Sequence, residues 1–287
     1  MIEDKKDLIE EIERIFPKLS KGQKLIAQYI IDNYDKVAFM TASKLSKMVG
    51  VSESTVVRFA NTLGFDGYPQ LQKALQDIIK IKLTTVQRVE MARDYSNEET
   101  ILEKIFTSDI DNIRATQEQL DKKTFQKIVD QILIADKIYI VGSRSSTALA
   151  LYLGFYLNLI LDNVTVLGQS ISDIFEQMLR INEKDLIIGI SFPRYSKQTV
   201  KVLKYAKEQN TTIVALTDSN MSPIYDIATY SLTAKSNMAS FVDSLVAPLS
   251  LINALIIAVG MREKDEITDY FNKLETIWDR YNIYDGE

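Results

Sequence analysis

The sequence predicts a two-part chain: an N-terminal all-α domain followed by a C-terminal three-layer α/β domain with a doubly wound parallel sheet. Three observations predict it. Capped, amphipathic helical patterns fill residues 1–82, and residues 83–98 are polar and only weakly periodic. From residue 137 onward, β-rich apolar runs alternate with helical patterns, the spacing of a parallel sheet covered on both faces. With 287 residues, 46% hydrophobic and 25% charged, the chain has the length for two domains and the apolar content for a core in each.

The elements follow in order. Asp4–Phe16 reads as an amphipathic helix with Leu8, Ile9, Ile12, Ile15 and Phe16 on one face, ended by Pro17. Ser20 caps a second helix with Leu25, Ile26, Tyr29 and Ile30 inward. Thr41 caps a third, Ala42–Val49, stopped by Gly50; Ser52 caps a fourth, Glu53–Leu63, stopped by Gly64. A fifth runs from about Pro69 to Ile81. After the linker at 83–98, the second domain (99–287) opens with helices at Glu99–Gln119 and Lys123–Ile134. Strands are expected at Lys137–Val141, Val164–Leu167, Asp185–Ile190, Thr212–Leu216 and Tyr230–Thr233. Helices are expected at Ser146–Leu161, Ile171–Arg180 and Ser196–Gln209, with a helical tail over Asp243–Tyr284.

Composition narrows the chemistry. There is no cysteine and no histidine, which removes disulfides, thiolate zinc sites and every mechanism that turns on imidazole. A metal would need oxygen ligands; no metal and no cofactor is expected. The mixed-charge start, Met1–Lys6, lacks the apolar stretch of a signal peptide. The most apolar run, Leu245–Val259, is too short to span a bilayer, so a cytoplasmic location is expected. The net charge is −5, yet residues 1–82 hold 13 Lys and Arg against 11 Asp and Glu. The acid lies in the larger part, and charge permits a nucleic-acid role for the first.

The sharpest local signal is Ala42–Asn61. A helix-turn-helix needs a small residue within its first helix, here Ser46. It needs glycine where the backbone turns left-handed, here Gly50. It needs apolar residues where the helices touch: Leu45, Val49, Val51, Val56 and Phe59. That placement leaves Ser52, Ser54, Thr55, Arg58 and Asn61 on the outer face of the second helix, with Arg58 opposite the Val57/Phe59 side. Short hydroxyls and forked donors of this kind suit phosphates and base edges. Thr41, Lys44 and Lys47 flank them on the first helix. Double-stranded operator DNA is the expected partner. A helix pair in any bundle would carry a solvated polar face; the joint presence of glycine, small residue and five apolar positions favours DNA.

The run Val56-Val-Arg-Phe59, then Leu63-Gly-Phe, then Gly67-Tyr-Pro resembles the N-terminal domain of the RpiR/MurR family of bacterial regulators. Ile138-Tyr-Ile-Val-Gly142, Gly189-Ile-Ser191, Ala215-Leu-Thr-Asp218 and Ser222-Pro-Ile resemble the sugar isomerase (SIS) domain that these regulators carry. The resemblance covers nearly the whole chain. It implies control of carbohydrate catabolism genes, by repression or activation, under a phosphorylated sugar.

Pattern alone also points to a ligand crevice, since open parallel sheets bind ligands beyond the carboxyl ends of their strands. Two strand ends here are rich in hydroxyls and lead into helices: Gly142–Thr147 and Ser191–Thr199. Helix N-termini favour anions, and serines add donors; as helix caps alone, they would account for about two of these serines. The expected ligand contacts are Ser143, Arg144, Ser145, Ser191, Arg194 and Ser196. The family's second loop usually reads Ser-x-Ser-Gly-x-Thr. Here Ser191 and Ser196 hold the first and last positions, while Pro193 and Arg194 replace the second serine and the glycine. The exchange adds a guanidinium suited to phosphate or carboxylate. A phosphosugar or sugar acid is the expected effector.

The rival reading is a SIS-fold isomerase or lyase, whose chemistry needs a base beside the sugar carbonyl. Glu176 and Glu208 are the nearest candidates, both inside helical patterns. A fused DNA-binding domain argues against catalysis. One helix-turn-helix reads few base pairs, so a homodimer or tetramer is expected. The apolar stretch Leu245–Val259 could serve as core or as interface, and Trp278, Tyr281 and Tyr284 as contacts between subunits.

Overall fold

The structure, a computed structural model, describes residues 8–82, 86, 88, 89, 98–237 and 242–284. The chain divides into two compact units, residues 1–96 and 97–287.

In the first unit, α1 spans Leu8–Ile15, α2 Lys21–Val37, α3 Ala42–Val49, α4 Glu53–Thr62 and α5 Tyr68–Lys82. Asp4–Asp7, expected as the start of α1, lie outside the described residues. α1 ends at Ile15, just ahead of Pro17, which sits inside a 3-10 segment, Phe16–Lys18, where its missing N–H costs nothing. Ser20 starts α2, its N–H donating to Gln23 Oε1 at 3.1 Å. Ile26 and Ile30 are buried as expected, but Leu25 is 49% exposed and Ala27 takes the inward place. The core stripe of α2 thus runs through 26, 27 and 30, one residue round from where the apolar pattern put its edge. The Tyr68 hydroxyl donates to Met40 O at 2.8 Å and ties α5 to the loop between α2 and α3. Burial pushes that phenol up to about 12.

The linker read at 83–98 is only partly described: Val86, Arg88 and Val89 are helical, and α6 already begins at Glu98. Polarity concealed the helical stretch. In the second unit, α6 (Glu98–Gln119) and α7 (Lys122–Ile134) precede β1 (Ile138–Gly142), α8 (Ser145–Ile160) and β2 (Val164–Val166). Then come α9 (Ile174–Gln177), β3 (Leu186–Ile190), α10 (Lys197–Glu208), β4 (Thr212–Thr217) and β5 (Tyr230–Thr233). The chain closes with α11 (Val246–Arg262) and α12 (Lys264–Tyr281). The helix expected over Ile171–Arg180 is thus a single turn. Asp173 caps it by accepting from Phe175 N at 2.9 Å, and helical geometry is already lost at Met178. The tail is two helices, broken at Glu263.

All strands pair in parallel, in the order β2-β1-β3-β4-β5. Alternate residues feed opposite faces, and both faces are buried. Ile138, Ile140, Leu186, Ile188 and Ile190 meet Leu149, Leu153, Leu157, Leu251 and Leu255 on one side. Tyr139, Val141 and Ile187 meet Val202, Leu203 and Ile174 on the other. The strand order reverses between β1 and β3, which leaves a crevice beyond their carboxyl ends.

Candidate functional site

Two surfaces collect the polar residues that the sequence singled out. The first is α4 with its approach from α3. Thr41 Oγ1 accepts Lys44 N–H at 3.1 Å and starts α3. Gly50 closes it at φ 75, its N–H returning to Ser46 O. Ser46 is buried and bonds Ser43 O at 2.9 Å, so its small side chain lets α4 approach. Leu45, Val56 and Phe59 are fully buried, and Val49 and Val51 half-buried, which fixes the pair. Ser52 Oγ caps α4 through Thr55 N at 3.3 Å and lies 2.9 Å from Ser54 Oγ and 2.8 Å from Thr55 Oγ1.

Thr41, Lys44, Lys47, Ser52, Ser54, Arg58 and Asn61 are exposed, and Thr55 is half-buried. Arg58 lies along its own helix, Nε donating to Ser54 O at 3.3 Å and Nη2 to Thr55 Oγ1 at 3.5 Å. One placement differs from expectation. Val57 is 38% exposed and shares the outer face with Arg58, while Phe59 and Ala60 turn inward. A step of 100° per residue separates Val57 from Phe59 by more than half a turn, so the two never shared a side.

The second surface is a cleft of about 570 Å³ at the carboxyl ends of β1 and β3. Gly142 makes it possible. A Cβ there would stand 2.4 Å from Ser146 O, because the first turn of α8 folds directly back over the strand end. The loops that follow β1 and β3 are joined, with Ser143 Oγ 3.1 Å from Thr199 Oγ1. Tyr195 Oη donates to Asp218 Oδ1 at 2.8 Å and pins the second loop to the end of β4. Ser196 Oγ caps α10 through Thr199 N at 3.4 Å.

Of the six residues expected to touch a ligand, Ser143, Arg144, Arg194 and Ser196 line this cleft. Ser145 and Ser191 are not among its lining residues. Ser145 is exposed, while Ser191 is buried behind the loop, its carbonyl accepting from Thr217 Oγ1 at 2.7 Å. Both arginines have positive φ: Arg144 at 58 and Arg194 at 62. Side chains rarely tolerate that conformation, which costs of order 1–3 kcal/mol and gathers at ligand clamps. Sequence reasoning missed the loop after β2, where Gly168 and Gln169 close one wall, and missed Thr147 and Lys197. Gly168 directly after the β2 pattern was the available signal. Glu176 does not line the cleft; its carboxylate accepts Asp173 N–H at 3.1 Å as a helix cap. Glu208 closes α10, also away from the lining. Among the described residues, no acidic cluster could hold a metal ion, and no helix is long and apolar enough to cross a membrane.

Comparison with known proteins bears on both surfaces. Residues 6–81 match the model of the helix-turn-helix domain, rpiR family, and residues 131–258 match the SIS domain. An uncharacterized HTH-type transcriptional regulator of Clostridium perfringens is 29% identical over 231 residues, 80% of this chain and 82% of that one. The HTH-type transcriptional regulator HexR of Pseudomonas aeruginosa is 23% identical over 282 residues, 94% and 95% of the two chains. The sugar isomerase domain of an RpiR transcription factor from Sphaerobacter thermophilus superposes with a TM-score of 0.59 at 30% identity. It covers 62% of this chain and 99% of that domain. Vibrio vulnificus NanR complexed with ManNAc-6P shares the fold, with a TM-score of 0.58 and 22% identity over 97% of this chain and 100% of that one.

Proposed function

The chain belongs to the RpiR family of helix-turn-helix regulators with a SIS domain, and we propose that an anionic sugar in the cleft at β1 and β3 sets its affinity for operator DNA. The pair of positive-φ arginines, one on each cleft loop, carries the reading. Two guanidiniums held on strained backbone, beside the first turns of α8 and α10, form a concave surface that favours an anion. A volume of about 570 Å³ suits a sugar phosphate or sugar acid. NanR, of the same fold, is complexed with a phosphosugar, which supports this ligand class.

On the DNA side, Thr41, Lys44, Ser52 and Ser54 meet phosphates at the start of α4. Arg58 and Asn61 read base edges, with Thr55 beside them, and exposed Val57 supplies an apolar contact of the kind thymine methyls accept. Carbohydrate catabolism genes are the regulated targets, and the protein works in the bacterial cytoplasm as a homodimer or tetramer, since paired half-sites need paired recognition helices. The cleft senses rather than catalyses. Glu176 is committed to its helix cap and Glu208 lies outside the lining, so neither stands as a base over a bound sugar.

A thermal-shift screen of phosphosugars and sugar acids tests the ligand class. An occupant at 100 times its Kd stabilises by about 2.7 kcal/mol, so the melting temperature should rise by several degrees. The uncharged parent sugar should leave it unchanged, and Arg144→Ala or Arg194→Ala should remove the shift. An equal rise with the uncharged sugar, or a rise retained in both variants, would place the site or the ligand elsewhere.

A further inference from the structure

We infer that the cleft takes a ligand with two separate anionic groups, a phosphosugar acid or a sugar bisphosphate, and that Lys197 recognises the second group. This rests on the reading above, in which Arg144 and Arg194 hold one anion between the cleft loops.

The charge of the lining calls for it. Arg144, Arg194 and Lys197 line the cleft, and among the described residues no aspartate or glutamate does. Carboxylates nearby in the chain are engaged elsewhere. Asp218 accepts from Tyr195 Oη at 2.8 Å and from Thr217 Oγ1 at 3.3 Å. Asp173 and Glu176 cap α9. Among the described residues no carboxylate pairs with Arg144 or Lys197. The helix starts add to the positive excess. α8 begins at Ser145 and α10 at Lys197, and Thr147 and Gln198 of their first turns line the cleft. Each start brings about half a positive charge. Arg144, Lys197 and the two helix starts therefore carry about three positive charges before Arg194 is counted. A phosphate monoester carries about −1.5 to −2 at neutral pH. One phosphate leaves the cleft positive. A phosphate with a carboxylate, or two phosphates, brings about −2.5 to −4 and balances it.

Lys197 stands where helix chemistry alone would not put a lysine. It is the exposed first residue of α10, whose first turn holds no acidic residue. A cation there faces the positive end of the helix dipole, the end that favours Asp and Glu. Lys201 follows one turn later, also exposed, and like charges at that spacing weaken a helix. Both costs fall at the cleft wall, three residues beyond Arg194. The two kinds of cation suit two tasks. Guanidiniums on fixed backbone orient one anion through forked donors, while an ammonium on a flexible stem follows a second anion as a point charge.

Calorimetry on the full-length protein at one salt concentration tests it with three probe sets: hexose 6-phosphates, 6-phosphohexonic acids and hexose 1,6-bisphosphates. The tightest doubly anionic probe should bind at least about tenfold better than the tightest monophosphate, the worth of one charge-assisted contact. Lys197→Met should erase that preference with helical circular dichroism retained. It should weaken the doubly anionic probe about tenfold and the monophosphate less than about threefold. Lys197→Arg should restore the preference. Since Lys197 is exposed, the preference should also shrink as salt is raised. Equal affinity for single and double anions, or a preference that survives Lys197→Met, would overturn the inference and leave the reading above standing. Equal weakening of both classes by Lys197→Met would place Lys197 with the first anion and overturn it as well. No binding by any of the three sets would overturn both.

Discussion

The two surfaces proposed to bind DNA and sugar are built by opposite means. The face of α4 is a regular helix whose side chains point outward, and its caps, Ser52 and Gly64, have ordinary geometry for their residue types. The cleft is concave, and its two guanidinium bearers stand on backbone that disfavours any side chain. A convex reading face needs only helical periodicity. A concave site at strand ends needs close backbone approach, at Gly142, and tolerated strain, at Arg144 and Arg194.

Glycine substitutions break the contrast most directly. Gly142→Ala drives a methyl against the backbone of Ser146, so we expect ligand binding to be lost and the α/β unit to lose about 1–3 kcal/mol. Urea unfolding and calorimetry with the ligand check both, and operator affinity without ligand should persist. Gly50→Ala meets no atom within 4 Å and suffers only its φ of 75. It should cost about 1 kcal/mol, the smallest effect here, seen in the urea midpoint.

Between these extremes, alkali probes the packing behind the reading face. Tyr68 keeps its proton in the fold up to about pH 12, against 10 in the unfolded chain. Its contribution is therefore complete below pH 10 and is lost as pH rises from 10 through 12, about 2–3 kcal/mol in all. Tyr139 in the sheet is pushed the same way, by burial first and by the Asp185 charge second, so both units weaken in alkali. Tyr68→Phe should flatten the pH dependence of the first unit alone, followed by circular dichroism between pH 9 and about 12. Arg58→Ala then tests the face itself. Losing one base contact should cost about 1–3 kcal/mol, roughly 10- to 100-fold in operator affinity at fixed salt. Unchanged affinity in a folded variant would remove α4 from the groove.

The same contrast explains what the sequence could reveal. The helix-turn-helix was legible apart from the side that Val57 takes, because Thr41, Gly50 and Ser52 punctuate it by local chemistry that tertiary structure did not override. The three central strands, β1, β3 and β4, were legible because residues buried on both faces read as apolar runs, whereas the partly buried edge strands β2 and β5 showed only as short β-prone runs. The cleft was legible only in part. Strand ends named its two main loops, but which hydroxyls face inward depends on the path of each loop. Ser191 turned into the core and Ser145 to solvent, while Gln169 joined from a loop that carried only a glycine as its sign. Helix lengths failed where apolar residues continue past a cap, as at Leu179, which is exposed beyond the single turn of α9.

Operator affinity with and without the sugar identified by the thermal-shift screen tests the central claim most directly. Fluorescence anisotropy at one salt concentration, on wild type and Arg194→Ala, suffices. Guanidinium–anion bonds are worth about 1.5–3 kcal/mol each, so the sugar should change wild-type affinity at least about tenfold. The variant should bind operator like the wild type in the absence of sugar and ignore its addition. Equal responses in the two proteins, or no response in either despite binding of the sugar, would contradict the account.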